Sequence, residues 1–412
     1  MKKLNVKIAV LVLLFVSGFK QNVCSQTDTT FVLLPDSSNF VYASLLVTTP
    51  GEEAYSALGH CAIRMECPIH KLDYCFSFEM GTDSPWFNYL SFFSGQTPAG
   101  FLAIETADYV KNYKEEGRGI QQYELNLTTH QKQELWRYLD EDMVAGQHRK
   151  FDFIRNNCAS MAMIAIQMKM WKEPIVVKKW PEHYKLINGD GLMFLTRNVP
   201  WLQIALMTIL GSEADVYWDN EHRISPELII EALSNAVIQS EDGSERPALT
   251  GNHKILSEQT LFPKPVPVTP IWAFTILLAL VCIMTALEWW LKWRMPAKVL
   301  DILLMVFQTM AGLLLLYMTV VTCMFGLHWN WCLLMLNPLP FLLWLFFRKR
   351  NGFQKVYAFY AVILLLFISV TPLITTQIIT AHRLLAASFL VRCLSRYGLG
   401  ADDLIRQQQE RY

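Results

Sequence analysis

No glycine-rich phosphate loop and no pair of histidines at one-turn helical spacing occurs in the chain, so nucleotide-driven chemistry and a zinc-helix motif have no support in the sequence. Neither sign of charge is in excess. The 36 Lys and Arg balance 36 Asp and Glu, without a basic stripe or an acidic tail, which argues against nucleic acid as a partner. No internal repeat is present. Cysteine is sparse, nine in 412 residues, and the spacing of Cys61, Cys67 and Cys75 fits no zinc knuckle. A site built on this chain is therefore expected to need neither metal nor cofactor.

Apolar residues, 52% of the total, are concentrated after residue 270. Four runs, 271–290, 302–323, 331–347 and 356–373, are long enough to read as membrane spans. A fifth, 376–394, is interrupted by His382, Arg383 and Arg392 and reads either as a span or as a helix along the membrane surface. Lys292, Arg294 and Lys298 fall in one loop and Arg348, Lys349, Arg350 and Lys355 in another, whereas 326–330 carries no Lys or Arg. That asymmetry puts residues 26–270 outside the membrane. Lys2, Lys3 and Lys7 ahead of an apolar run, with small residues near Cys24 and Ser25, read as an export signal over 1–25. An uncleaved anchor and a lipidated Cys24 are the alternatives.

The exported part reads as α+β. Strands are expected at 40–49, 60–66, 74–79, 101–107 and 119–127, and a short aromatic helix at 86–93. Thr128-Thr129-His130-Gln131 forms a capping box for a helix carrying Leu135, Leu139 and Met143. Residues 199–211 hold an apolar helix too short to span a bilayer, read as core or interfacial. Residues 240–252 are polar and read as a loop or linker. Cys67 and Cys75 are spaced for a disulfide across a hairpin.

Chemistry is expected where an extended run meets a helix at Asn156-Asn157-Cys158-Ala159-Ser160. A thiol in the first turn faces unpaired N–H groups and the positive helix end, both of which favour thiolate. Its base would be His60, in Leu58-Gly59-His60-Cys61. Asp73, Tyr74, Glu79 and His70 are the candidates to orient His60, with no basis for choosing among them. Asn157 either assists the oxyanion site or shapes the turn, and Arg64 either clamps a lipid phosphate or forms an ion pair. His328, Asn330, His382 and Arg383 lie at similar depth on the outer side and are candidates for a substrate path or for interfacial anchoring. The bland reading of Cys158 is a structural or disulfide-bonded residue, the latter with Cys61 as its partner.

Gly59-His60 with Arg64, followed roughly a hundred residues later by Asn157-Cys158 at a helix start, resembles the permuted papain-like hydrolases of the NlpC/P60 and lecithin:retinol-acyltransferase kind. Together with the export signal and the apolar C-terminal half, the chain resembles the Lnb-type lipoprotein N-acyltransferases of Bacteroides-like bacteria. The resemblance implies a permuted papain-like catalytic domain over 26–180, a helical extension and linker over 181–266, and a bundle of four to five transmembrane helices over 267–412. It further implies an inner-membrane enzyme facing the periplasm. Cys158 would take an acyl chain from a phospholipid as a thioester and pass it to the N-terminal amine of a diacylated lipoprotein. His70 would be either a second histidine of the retinol-acyltransferase kind or, the reading the sequence favours, an exposed hairpin-turn residue. Two rivals stand beside this reading: a membrane-anchored NlpC/P60-like amidase or peptidase acting on cell-wall peptides, and a non-enzymatic assembly protein.

Overall fold

The computed structural model describes residues 41–409, apart from 54–55, 82–90, 169–171, 180–186, 218–224, 263–265, 325 and 348–353. The expected export signal and most of the aromatic segment 86–93 lie outside the described residues.

In chain order the exported part runs β1 (Tyr42–Thr48), β2 (His60–Cys67), β3 (Leu72–Met80), β4 (Pro98–Glu105), α1 (Thr106–Glu115), β5 (Ile120–Leu125), α2 (Thr129–Val144), β6 (Arg149–Lys150) and α3 (Cys158–Met168). It continues with β7 (Ile175–Val177), α4 (Asn188–Leu195), α5 (Pro200–Ile209), α6 (Pro226–Ser234), β8 (Ala236–Gln239), β9 (Glu245–Pro247) and β10 (Leu249–Ser257). A seven-stranded antiparallel sheet has the order β10-β5-β1-β2-β3-β4-β6, and β7-β8-β9 form a second, small sheet.

Strand alternation gives the large sheet two covered faces. Leu46, Ala62, Cys75 and Ile120 point to one face and pack against Tyr109 of α1. On the other face Phe76 meets Trp136 of α2 edge-on, and Phe78 meets Phe101. The capping box that starts α2 is formed: Thr128 accepts from the Gln131 N–H, and the Gln131 side chain accepts from the Thr128 N–H. Cys67 and Cys75 are both free. They occupy opposite faces of their hairpin, since Cys67 opposes Leu72, and so do not bridge.

Residues 240–252 are not a linker. β10 pairs with β5 and closes the edge of the large sheet, so that sheet draws on residues well beyond 180. Its side chains are mostly exposed, which is why the composition reads as a loop. Edge strands hold their place by backbone pairing and tolerate polar side chains.

The apolar half contains α7 (Pro270–Trp290), α8 (Arg294–Val321), α9 (Leu339–Phe347), α10 (Gln354–Ile374) and α11 (Thr380–Gln409). Among the described residues α7, α8 and α10 are long and apolar enough to cross a membrane. The third expected span is not one helix: Trp331–Leu334 is a 3-10 turn, and α9 begins only after Asn337 and Pro338. Backbone groups freed by the break are taken up inside the bundle. The Met335 carbonyl accepts from Gln308 and Tyr360, and Asn337 donates to the Leu333 carbonyl.

The fifth segment packs into the bundle and does not lie along its surface. Ala381, Leu385, Ala386 and Phe389 of α11 are buried. Arg392 pairs with Glu288 at 2.8 Å and with Asp301 at 2.6 Å, and Arg396 pairs with the same two acids. Two cations against two carboxylates explain how charged residues sit in an otherwise apolar helix.

Candidate active site

Cys158 opens α3 behind a turn whose every side chain is anchored. The Asp152 carboxylate accepts from the N–H groups of Ile154 and Arg155. Asn157 is the helix cap: its Oδ1 accepts from the N–H groups of Ala159 and Ser160, and its Nδ2 donates to the carbonyls of Phe153 and Ile154. Ser160 Oγ returns a bond to the Asn157 N–H. This is a capping box with Asn in first place. Of the two readings of Asn157, turn shaping is the one its hydrogen bonds support. Among the described residues the cap leaves the Cys158 N–H itself without an acceptor at the mouth of the helix.

His60 begins β2 directly after Gly59, whose φ of +81° and close approach to the Thr48 carbonyl admit no side chain. The β2–β3 register sets Ala62 opposite Ser77, and continued by one pleat it sets His60 opposite Glu79. His60 Nε2 lies 2.6 Å from Ser77 Oγ and 3.2 Å from Glu79 Oε1. Ser77 donates to Glu79 at 2.6 Å, so its oxygen accepts from Nε2–H, and Nδ1 is the nitrogen left for Cys158. The Cys158 sulfur is in hydrogen-bonding reach of His60 and of Cys61, whose thiol also lies 3.3 Å from the Cys158 carbonyl. Tyr113 stacks on the other face of the site, 6.0 Å from the His60 ring, and Arg118 lies 4.6 Å over Tyr113.

The electrostatics separate the two partners. The Cys61 hydrogen bond and the His60 charge outweigh burial and hold the Cys158 thiol well below its usual range. Burial works against a charge on His60, yet the Cys158 and Glu79 anions overcome it and push the imidazole up to about 10. Burial likewise opposes ionisation of Glu79, and the His60 cation still keeps it below the usual carboxylate range. Cys61, facing that sulfur, is driven well above the normal thiol range, so it serves as a donor. Both shifts favour a thiolate and an imidazolium over the neutral pair.

The other orienting candidates do not reach His60. Arg64 and Asp73 form a two-pronged ion pair, both bonds 2.7 Å, roughly 13 Å along β2 from His60. Gln122, Glu66 and Thr106 complete that cluster, and Arg64 is therefore an ion-pair residue and not a phosphate clamp. Tyr74 points to the opposite face of β3 from Ser77, and His70 sits on the exposed turn at the far end of the hairpin. Glu79 is the group that meets the ring. Ser77 was not among the expected residues, although strand alternation from Glu79 points to it.

In the membrane half, Asn330 is buried and used up. It donates to the Thr208 and Ile209 carbonyls and accepts from Gln377 and the Cys332 N–H. His382 is buried against Thr208 at 2.9 Å, and His328 bonds the Thr319 carbonyl from an exposed position. These three tie loops together. Arg383 lines a cavity.

The Asn330 and His382 bonds to α5 fasten the exported domain to the bundle. The Gly211 N–H donates to the Gly326 carbonyl at 2.9 Å, and the Cys323 N–H donates to Ser94. Beside the candidate site lies a small apolar cavity of about 40 Å³. Leu58 and Phe153, each a few residues from His60 or Cys158, form one side, and Leu192, Leu206, Met324 and Leu327 form the other.

An α+β exported domain with a paired thiol and imidazole, joined to a bundle of apolar helices, defines a membrane protein whose candidate centre lies in the exported domain. Residues 36–177 match the family model of the Lnb N-terminal periplasmic domain, and residues 262–401 match that of the Lnb transmembrane domain. The chain belongs to the Lnb family, whose domains point to lipoprotein N-acyltransferase-like function in a membrane protein with a periplasmic part. No curated protein and no solved structure matches the chain.

Proposed function

We propose that this protein transfers a fatty acyl chain from a phospholipid of the inner membrane to the N-terminal amine of a diacylglyceryl-cysteine lipoprotein through a thioester on Cys158. The observation that carries the reading is the Cys158–His60 pair, whose flanking segments at Phe153 and Leu58 line an apolar cavity that residues of the membrane bundle help to wall. A cell-wall peptidase would call for an open polar groove at that point.

The Cys158 thiolate attacks the ester carbonyl, whose developing oxyanion is received by the Cys158 N–H at the helix mouth. The lysophospholipid alkoxide leaves with the proton of His60, and the thioester remains. The lipoprotein amine then attacks the thioester, gives its proton to His60, and expels the thiolate as the amide forms. Ester to thioester to amide runs downhill overall, so the substrates supply the driving force without a cofactor. Glu79, through Ser77, holds the ring in the tautomer that turns Nδ1 to the sulfur.

The permuted papain-like assignment of residues 26–180 accords with a thiol at a helix start and an imidazole on the neighbouring strand, with β10 as an added edge. Mass spectrometry of lipoprotein N-termini in cells relying on this protein tests the proposal. Cys158→Ala and His60→Ala, at normal protein levels, are expected to leave lipoproteins diacylated. Full triacylation in both variants would overturn it.

A further inference from the structure

A second, larger cavity of about 550 Å³ lies away from Cys158, where α7 enters the bundle, α10 ends and α11 begins. By the orientation of the spans this is the outer surface of the membrane, the level of lipid headgroups. Two side chains of opposite charge line it, Arg383 in the first turn of α11 and Asp190 in the first turn of α4. Neither has an ion partner among the described residues. The guanidinium makes one bond, to Thr380 at 2.9 Å, and its buried Nε–H has no acceptor. The rest of the wall is mostly apolar, with Met193, Pro270 and Ile378. The volume falls in the range of roughly 300–1,000 Å³ common for small-molecule sites.

We propose that this cavity binds the headgroup of a zwitterionic phospholipid, Arg383 taking the phosphate and Asp190 the ammonium. An unpaired cation and an unpaired anion in one pocket match a ligand bearing both charges, and an anionic headgroup would meet repulsion from Asp190. The wall between this cavity and the small apolar one beside the catalytic turn is the α4–α5 pair: Met193 and Gln203 face the headgroup side, Leu192 and Leu206 the catalytic side. A lipid held here would be presented next to Cys158. The inference deepens the acyl-transfer reading by naming how its donor is held.

The test measures binding without turnover, so that it stands apart from the chemistry. Full-length Cys158→Ala protein in detergent is examined by native mass spectrometry with phosphatidylethanolamine and phosphatidylglycerol. Retention of phosphatidylethanolamine several-fold above phosphatidylglycerol is expected. Asp190→Asn should erase that preference and Arg383→Ala should weaken both lipids, while Arg383→Lys, which keeps the charge and controls for folding, retains part of the binding. Equal retention of both lipids in the parent and in all variants would overturn the proposal. Glycerophosphoethanolamine at millimolar concentration is expected not to displace the lipid. Its binding in place of the lipid would assign the cavity to a free phosphate compound and overturn the lipid assignment.

Discussion

Glu79 lies opposite His60 across one hairpin, and the charge state of the site turns on it. With His60 raised to about 10 and Cys158 depressed, the proposed mechanism predicts an ion pair across neutral pH. The sign follows for each limb. Thiolate is lost only as pH falls through the depressed thiol value, and the imidazolium that protonates the leaving group is lost as pH rises through about 10. Iodoacetamide should therefore alkylate Cys158 at a rate nearly flat from pH 7 to pH 9, and His60→Ala should replace that plateau with a rate climbing through the ordinary thiol range. Glu79→Gln should move the alkaline limb of turnover below 10 and lower kcat by roughly 10²-fold, with little change in KM. A pH–rate profile checks both. His60 and Cys158 were legible in the sequence because Gly-His before a strand and Asn-Cys before a helix are local patterns. Glu79 could not be singled out from Asp73, Tyr74 and His70, since the choice depends on strand register, a tertiary fact.

At the scale of elements, α3 is held by its Asn157 cap and by the buried Ala159, Met161, Ala162 and Ile166 beneath it. Asn157→Ala should cost about 1 kcal/mol of stability, read from the thermal midpoint. Activity should fall further than that loss alone accounts for, because the cap also fixes the Cys158 N–H. Gly312 of α8 sits where an added Cβ would lie 2.5 Å from the Asn337 backbone at the break before α9. Gly312→Leu should thus lower the yield of folded protein in detergent, whereas Leu313→Ala on the exposed side of α8 should not. Composition located the apolar run 331–347, but an apolar run alone does not reveal that a helix is interrupted. Asn337, Pro338 and Pro340 carried that signal. β10 was missed for the converse reason, a strand whose exposed side chains look like a loop.

For the whole molecule, two sets of contacts matter. Glu288, Asp301, Arg392 and Arg396 lock α11 against α7 and α8, and charge in the fifth segment, which made it look like a weak span, is what fastens it. Removing one partner of such a buried pair typically costs 3–5 kcal/mol, so Arg392→Ala should lower the thermal midpoint sharply. The other set joins α5 and the loop after α8, fastening the exported domain to the bundle. Division into an exported domain and an apolar bundle was legible from residue distribution and charge asymmetry. Their junction was not, because it is built from backbone bonds at Gly211 and Gly326 and from polar side chains such as Asn330, which resemble loop residues in sequence. The most direct measurement is the intact mass of purified protein incubated with phospholipid in the absence of an acceptor. A single hydroxylamine-labile fatty acyl group on Cys158, absent from His60→Ala protein and discharged on adding a diacylated lipopeptide, is the predicted result. Protein that stays unmodified while still triacylating the lipopeptide would contradict the thioester.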